Sequence, residues 1–218
     1  GAAGARLFLT DLDTAGLSAT ARQIAARGCA VEVLPADLAA PEAPAAVAAA
    51  AREALGRIDG LVNAAGLTTR AWLTDATVQA WDTLFAVNAR APYFLMQAAV
   101  QDMLARQTPG SIVNILSVNA HVGIPELSVY SGTKGALSTL TKNAANAHLP
   151  DGIRINGINL GWVATEAEDH MQAVTLGKGP GWRAEAAAMR PMNRLVEPGD
   201  AARLAVFLLS DASRPMTD

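Results

Sequence analysis

Along the chain, short apolar runs alternate with longer alanine-rich stretches. The runs fall at residues 6–10 (RLFLT), 30–34 (AVEVL), 58–62 (IDGLV), 111–116 (SIVNIL) and 153–158 (IRINGI). Each is brief, rich in β-branched or large apolar residues and bounded by Gly, Pro, Asn or Asp, which predicts strands. Between them, residues 14–27 predict a helix stopped by Gly28, and residues 41–55 an alanine-rich helix ahead of Gly56. Residues 74–107 predict two helical stretches with a break near residues 88–92. A further helix carries Tyr130, and residues 198–209 form an amphipathic helix after the NRLVEPGD turn. The low-complexity tract at residues 39–51 reads as an outer-layer helix rather than a linker. Strand and helix in alternation predict βαβ units. The fold class is therefore α/β, a doubly wound parallel sheet with helices on both faces, in one domain over residues 1–218.

The polar residues follow the same rhythm. Asp11 follows the first apolar run, Asp37 the second, Asn63 the third, Ser117 the fourth and Asn159-Leu160-Gly161 the fifth. In an open parallel sheet these carboxyl ends lie along one edge, the edge where such folds bind ligands. Asp11 has two readings: an acid accepting ribose hydroxyls and repelling a 2′-phosphate, or part of a DLD turn with Asp13 or Thr14 as helix cap. Asp37 carries the same pair of readings. Asn63-Ala64-Ala65-Gly66 either lets backbone approach an adenosine closely or makes a tight strand-to-loop turn.

One stretch carries chemistry. Tyr130 and Lys134 stand four apart in a helix-forming segment, so both emerge on one face. A phenol has an unperturbed pKa of about 10, and bringing it to about 7 takes roughly 4 kcal/mol. An ammonium about 4 Å away supplies about that much at an effective dielectric of about 20, and a helix N-terminus adds up to about 1 kcal/mol. Tyr130 and Lys134 thus suit an acid/base pair, with the Ser117 hydroxyl beside them to hold a carbonyl oxygen. The same spacing also arises on ordinary surface helices, so the surrounding chain has to decide.

Composition narrows the partners. Half of the 218 residues are apolar, 17% are charged and the formal charge is −3. That gives no basic footprint for nucleic acid or an anionic membrane. No apolar run reaches spanning length and no signal-peptide pattern opens the sequence. Cys29 is the single cysteine, so no disulfide framework is expected and a cytoplasmic location is. His121, His148 and His170 lack ligand spacing, and no metal is expected.

Taken together, LVNAAG, the Asn88 region (LFAVNARAPYFLMQ), ILS followed by YSGTK, and RINGINLG resemble the short-chain dehydrogenase/reductase family, in order over residues 6–209. The resemblance implies a Rossmann-type fold, NAD(P)-dependent oxidation of alcohols or reduction of ketones, and a homo-oligomer, a tetramer or dimer. It implies that Ser117 orients the substrate oxygen and Tyr130 transfers the proton. Lys134 would tune the tyrosine and hold the nicotinamide ribose, and Asn88 would hold a water in a proton relay. Asp11 is similar to the family's NAD-selecting acid, so NAD is expected rather than NADP. Asp37 with Leu38, Asn63, Ala64, Ala65 and Gly66 are similar to its adenine-side contacts. Gly161, Val163 and Thr165 are similar to its nicotinamide carboxamide contacts.

Substrate identity is expected in a lid around residues 166–190, whose GKGPG run suits movement. Asn119 and Trp162, with His121, Glu126 and Glu166, are candidate pocket residues. The NLGW turn and this segment resemble sugar- and polyol-oxidising members, so a polyhydroxylated substrate is expected. Two other readings stand beside it: an NADPH-dependent 3-oxoacyl thioester reductase, which Asp11 disfavours, and a non-catalytic dinucleotide-fold binding protein, which the Asn–Ser–Tyr–Lys set disfavours.

The sequence departs from the family in two places. Leu160-Gly161 replaces the family's Pro-Gly, and no glycine-rich phosphate loop stands about 20 residues ahead of the ribose acid. A sheet lacking a central first strand would leave unpaired backbone on both neighbours. The expectation is a natural protein with about 30 further residues forming a βαβ opening. Its intact mass should then exceed the 22.5 kDa of this sequence; a match to that mass would overturn the expectation.

Overall fold

A computed structural model describes residues 4–218. In chain order the elements are β1 (Leu7–Asp11), α1 (Thr14–Ala25), β2 (Val31–Pro35), α2 (Ala43–Leu55) and β3 (Gly60–Asn63). Then come α3 (Val78–Phe85), a π-helical turn (Ala86–Arg90), α4 (Ala91–Ala105), β4 (Gly110–Ser117) and α5 (Ser128–His148). The chain ends with β5 (Ile153–Leu160), α6 (Glu166–Asp169), a second π turn (His170–Thr175), α7 (Trp182–Ala188) and α8 (Pro198–Leu209). The alternation read from the sequence is the alternation of the fold, an α/β structure with parallel strands flanked by helices.

All ladders are parallel. β1 pairs with β2, and β4 lies between β3 and β5. Among the described residues no ladder joins β1 to β3. Side chains join the two sheets instead: Phe8 and Leu34 from one and Leu61 from the other pack around Ala43, Val47, Ala91 and Leu95 of α2 and α4.

β4 is the centre of the core, and its alternation explains why. Ile112 and Leu116 face the cluster made with Met103, Leu137 and Ala145 of α4 and α5. Val113 and Ile115 face the opposite way, onto Ala205 and Leu208 of α8. A strand covered on both faces reads as a continuous apolar run, which is what SIVNIL is. The close cross-strand packing also accounts for Gly157 on β5, where an added Cβ would come 2.3 Å from Leu116 Cδ1.

The break expected near residues 88–92 is not a break. The Ala91 N–H donates to the Ala86 carbonyl, five residues back, so the chain stays helical through one wide turn. Pro92, which has no N–H to continue the regular ladder, follows directly on the wide turn. The wide turn rotates Asn88 inward, with no exposed surface at all.

The buried face of the sheet also carries a polar chain. Asn63 Nδ2 donates to Asn114 Oδ1 (2.8 Å), Asn114 Nδ2 donates to Thr141 Oγ1 (2.9 Å), and Thr141 Oγ1 donates to the Leu137 carbonyl (2.7 Å). This ties β3, β4 and α5 together below the binding edge. Truncating its middle member removes two buried hydrogen bonds, at about 0.5–1.5 kcal/mol each, and leaves a small cavity. Asn63 keeps its bond to the Pro92 carbonyl and Thr141 its bond to the Leu137 carbonyl. Asn114→Ala should therefore lower the unfolding free energy by about 2–4 kcal/mol in urea titration; a loss near zero would show that the chain is not structural.

Candidate active site

The parallel register brings the carboxyl ends of β3, β4 and β5 to one rim. Asn63 lies opposite Asn114, and Ser117 lies opposite Leu160. Tyr130 is the third residue of α5, and the next helical turn supplies Thr133 and Lys134. All three α5 residues are buried, as are Ser117, Asn119 and Asn88. The expected set of Asn88, Ser117, Tyr130 and Lys134 is thus brought together at the rim.

Asn88 is held by three hydrogen bonds. Its Oδ1 accepts from the Leu67 N–H (2.8 Å), and its Nδ2 donates to the Leu67 carbonyl (2.9 Å) and to Thr133 Oγ1 (3.0 Å). Its side chain therefore fixes the loop after β3 to α5. Gly66 is exposed beside it, and a Cβ there would make ordinary contact with Asn88 Oδ1 at 3.5 Å and Lys134 Nζ at 3.6 Å.

Electrostatics at the pair run against the simple sequence argument. Lys134 Nζ donates to the Ile115 carbonyl (2.8 Å) and lies 5.9 Å from the centre of the Tyr130 ring. The ammonium is therefore anchored to β4 rather than seated on the phenol oxygen. Burial pushes the Tyr130 phenol above its ordinary value, the adjoining Ser117 hydroxyl offsets part of this, and the charge of Glu168 raises it further. Burial also pushes Lys134 down to about 8. Without a ligand on the rim, burial of the phenol is the largest influence on it.

The remaining candidates divide by what their side chains do. Asp11 is exposed and accepts from the Asp13 N–H (2.9 Å), while Asp13 caps α1 through the Ala15 N–H. Asp37 accepts from the Ala39 N–H (2.8 Å). The turn-and-cap readings are thus realised, and they leave the second oxygen of each acid without a partner among the described residues. Leu38 is buried in the cluster between the two sheets, and the Asn63 amide donates to Asn114. Ala64, Ala65 and Gly66 are exposed. Val163 bridges to Val196, Thr165 Oγ1 caps α6 through the Glu168 N–H, and Gly161 is exposed beside Val196.

The segment after β5 is more built than a loose lid. Trp182, Ala164, Ala186 and Leu195 form their own buried cluster, with Trp162 and Ala173 against it. Of the expected pocket residues, His121 and Glu166 are exposed, and Glu126 pairs with Arg70 (3.1 Å). The acid whose charge reaches Tyr130 is Glu168, which the sequence reading missed. Its signal was present in the four-residue spacing to Gln172, which puts both on one helical face.

The rim suits a dinucleotide: it has exposed small residues at 64–66 and, on each of Asp11 and Asp37, an acceptor oxygen without a partner among the described residues.

The buried lysine yields a stability prediction. In the unfolded chain its pKa is 10.5 and in the folded protein about 8. Between these values the unfolded state binds more protons, so stability rises with pH through the window. At neutral pH the whole cost, about 3 kcal/mol, is present. Lys134→Met should therefore raise the unfolding free energy at neutral pH by about 1–3 kcal/mol, after allowing for the bond lost at the Ile115 carbonyl. The gain should shrink as the pH approaches 10.5. A variant less stable than the parent at neutral pH would overturn the assignment of the cost to Lys134.

Comparison with known proteins agrees with this geometry. A family model described as enoyl-(acyl carrier protein) reductase matches residues 1–218. The 2-(S)-hydroxypropyl-CoM dehydrogenase 3 of Xanthobacter autotrophicus is 33% identical over 98% of this chain and 83% of its own length. Galactitol 2-dehydrogenase of Agrobacterium fabrum is 33% identical over 96% of this chain and 82% of its own. A solved structure from Sinorhizobium meliloti 1021, assigned to the short-chain alcohol dehydrogenases, superposes with a TM-score of 0.89 at 32% identity, covering 99% of this chain and 83% of that one. The chain belongs to the short-chain dehydrogenase/reductase family, NAD(P)-dependent oxidoreductases that act on CH–OH and carbonyl groups.

Proposed function

We propose that the protein is an NAD-preferring dehydrogenase of a secondary alcohol, and that its substrate is a sugar or polyol. The observation that carries this reading is the meeting of Ser117, Tyr130 and Lys134 at the carboxyl-end rim, next to the exposed Gly66.

The nicotinamide would supply the hydride chemistry, taking or giving hydride at the substrate carbon. Asp11 would hold ribose hydroxyls through its free oxygen and repel a 2′-phosphate, which favours NAD. Asp37 and the backbone at 63–66 and Leu38 would face the adenosine. Lys134 would hold the second ribose, and Gly161, Val163 and Thr165 would face the carboxamide end.

In oxidation, Ser117 holds the substrate oxygen. Tyr130, ionised against its burial by the positive charges of Lys134 and of a bound oxidised nicotinamide, would take the hydroxyl proton as phenolate while hydride leaves the same carbinol carbon. Lys134 is half-way to neutrality at about 8, which suits it to pass that proton onward. Asn88 keeps the floor rigid by locking Leu67 to α5. The relative acting on galactitol supports the polyol reading, and the acid at the rim, Asp11, weighs against a phosphate-bearing acyl carrier as substrate.

The groove between α4 and α5, about 460 Å³ and lined by Tyr93, Met96, Val100, Leu104 and Leu140, supports a homo-oligomer. Among the described residues no helix is long and apolar enough to cross a membrane.

Tyr130→Phe should cut kcat by about 10²–10⁴-fold while NAD binding, followed by nicotinamide fluorescence on adding NADH, stays near that of the parent. The parent should turn over sugars or polyols with NAD. Normal turnover in the Phe variant would remove Tyr130 from the chemistry, and activity confined to hydrophobic ketones with NADPH would overturn the substrate and cofactor reading.

A further inference from the structure

One cation at the rim has no part in the proton chemistry. Arg90 closes the π turn Ala86–Arg90, two residues after Asn88 and just ahead of α4. It is half-buried, and its Nη2 donates to the carbonyl of Ala39 in the loop after β2. Among the described residues no backbone N–H reaches that carbonyl, so the guanidinium is its one partner. The Arg90 Nε is enclosed without a partner, so the side chain holds this place at a cost.

What the bond secures is the turn that carries Asp37. The Ala39 N–H donates to Asp37 Oδ1 (2.8 Å), and the Ala40 N–H donates to the Asp37 carbonyl (3.0 Å). The Ala36 N–H donates to the Asp11 carbonyl (3.1 Å), which sets this turn beside Asp11 at the carboxyl ends of β1 and β2. Leu38, in the same turn, shares a buried cluster with Ala91 and Leu95 of α4. Any movement of Ala39 is therefore passed to Asp37.

The other arm of the π turn is fixed as firmly. Asn88 binds Leu67 in the loop after β3 and Thr133 on α5, one residue before Lys134. No ladder joins β1 to β3 among the described residues, so this turn is a polar tie from the rim of one sheet to the rim of the other. A ligand that spans both rims needs that spacing held.

We propose that Arg90 is a positioning residue for the dinucleotide: through Ala39 it holds Asp37 and its turn at the adenosine end, at a set distance from Ser117, Tyr130 and Lys134. It acts through the loop rather than on the reacting atoms, so it governs affinity for the cofactor and not the rate of the chemical step. The inference rests on the dehydrogenase reading above and adds to it the residue that couples the two ends of the site.

Binding measurements test it without turnover. Arg90→Met keeps an apolar side chain of similar reach and removes the donor. It should weaken NADH binding, followed by nicotinamide fluorescence, by about tenfold, as expected for loss of a hydrogen bond to a charged group. Displacement of NADH by AMP should weaken by a like factor, while displacement by nicotinamide mononucleotide stays near that of the parent. For a sugar or polyol that the parent oxidises, kcat at saturating NAD should stay within about twofold, so the loss falls on the KM for NAD. Arg90→Lys, which still offers one charged donor, should recover part of the affinity.

Equal losses for AMP and nicotinamide mononucleotide, or a fall in kcat with NADH binding intact, would make Arg90 a general support of the fold and overturn the proposal. Unchanged binding of all three ligands would overturn it as well. Should Arg90→Met not fold, Arg90→Lys decides: a selective loss for AMP supports the proposal, and its absence overturns it. Each of these results leaves the dehydrogenase reading standing, whereas a parent that binds no NADH overturns that reading and this proposal together.

Discussion

An ammonium held below the surface is the constraint on which the site depends. Lys134 is 5% exposed, and its one hydrogen-bond partner is the carbonyl of Ile115, two residues before Ser117 on the same strand. That bond fixes α5 against β4 at the point where both must deliver a side chain to the rim. A buried charge costs several kcal/mol unless it is paired, and among the described residues it is met by a carbonyl dipole and the face of the Tyr130 ring rather than by a carboxylate. The protein carries this destabilisation inside its best-packed region, where Ile112, Val113 and Leu137 are essentially fully buried. A cost of this kind is retained where a site needs the charge, since an apolar residue of the same size would pack there without it.

The phenol follows from the same geometry. A lysine about 4 Å from the tyrosine oxygen would deliver the whole Coulomb gain. The fold instead turns the Lys134 ammonium from α5 onto the Ile115 carbonyl of β4, 5.9 Å from the centre of the Tyr130 ring, and burial is the largest influence on the phenol. Spacing on a helix says that two side chains share a face; it does not say that their polar ends touch. Which end wins depends on what else competes for the ammonium, and here a strand carbonyl does.

That distinction explains how much of the molecule was legible in the sequence. The order of strands and helices could be read because each apolar run is short, each helix is long, and Gly28 and Gly56 punctuate them. Both glycines take a left-handed backbone where a helix ends. Ser117, Tyr130 and Lys134 were legible for a similar reason: a strand end and a helical face are local geometry. Asn88 was half legible, because its inward turn comes from a π turn, which changes hydrogen-bond register without changing composition. The Asn63–Asn114–Thr141 chain was not legible at all. Each of its members is an ordinary polar residue in its own element, and only the β3–β4 register brings them within reach.

The Trp162–Glu168–Gln172–Lys178 ring of contacts belongs to that last group. Its members span 17 residues that alternate apolar and polar positions without a clear period. A glycine-rich run at 177–181 makes the segment look like a loop. What organises it is the burial of Trp182 at one end and of Gln172 in the middle, around which α6, the π turn and α7 wrap. With those two side chains buried, Glu168 is held by the Trp162 indole and the Gln172 amide, both donating to its Oε1. Ser117, Tyr130 and Lys134 thus come from the sheet and α5, while a separate small core is built after the last strand. Among the described residues no hydrogen bond connects Glu168, Gln172 or Lys178 to α5 or β4, so what couples the two parts is the charge of Glu168.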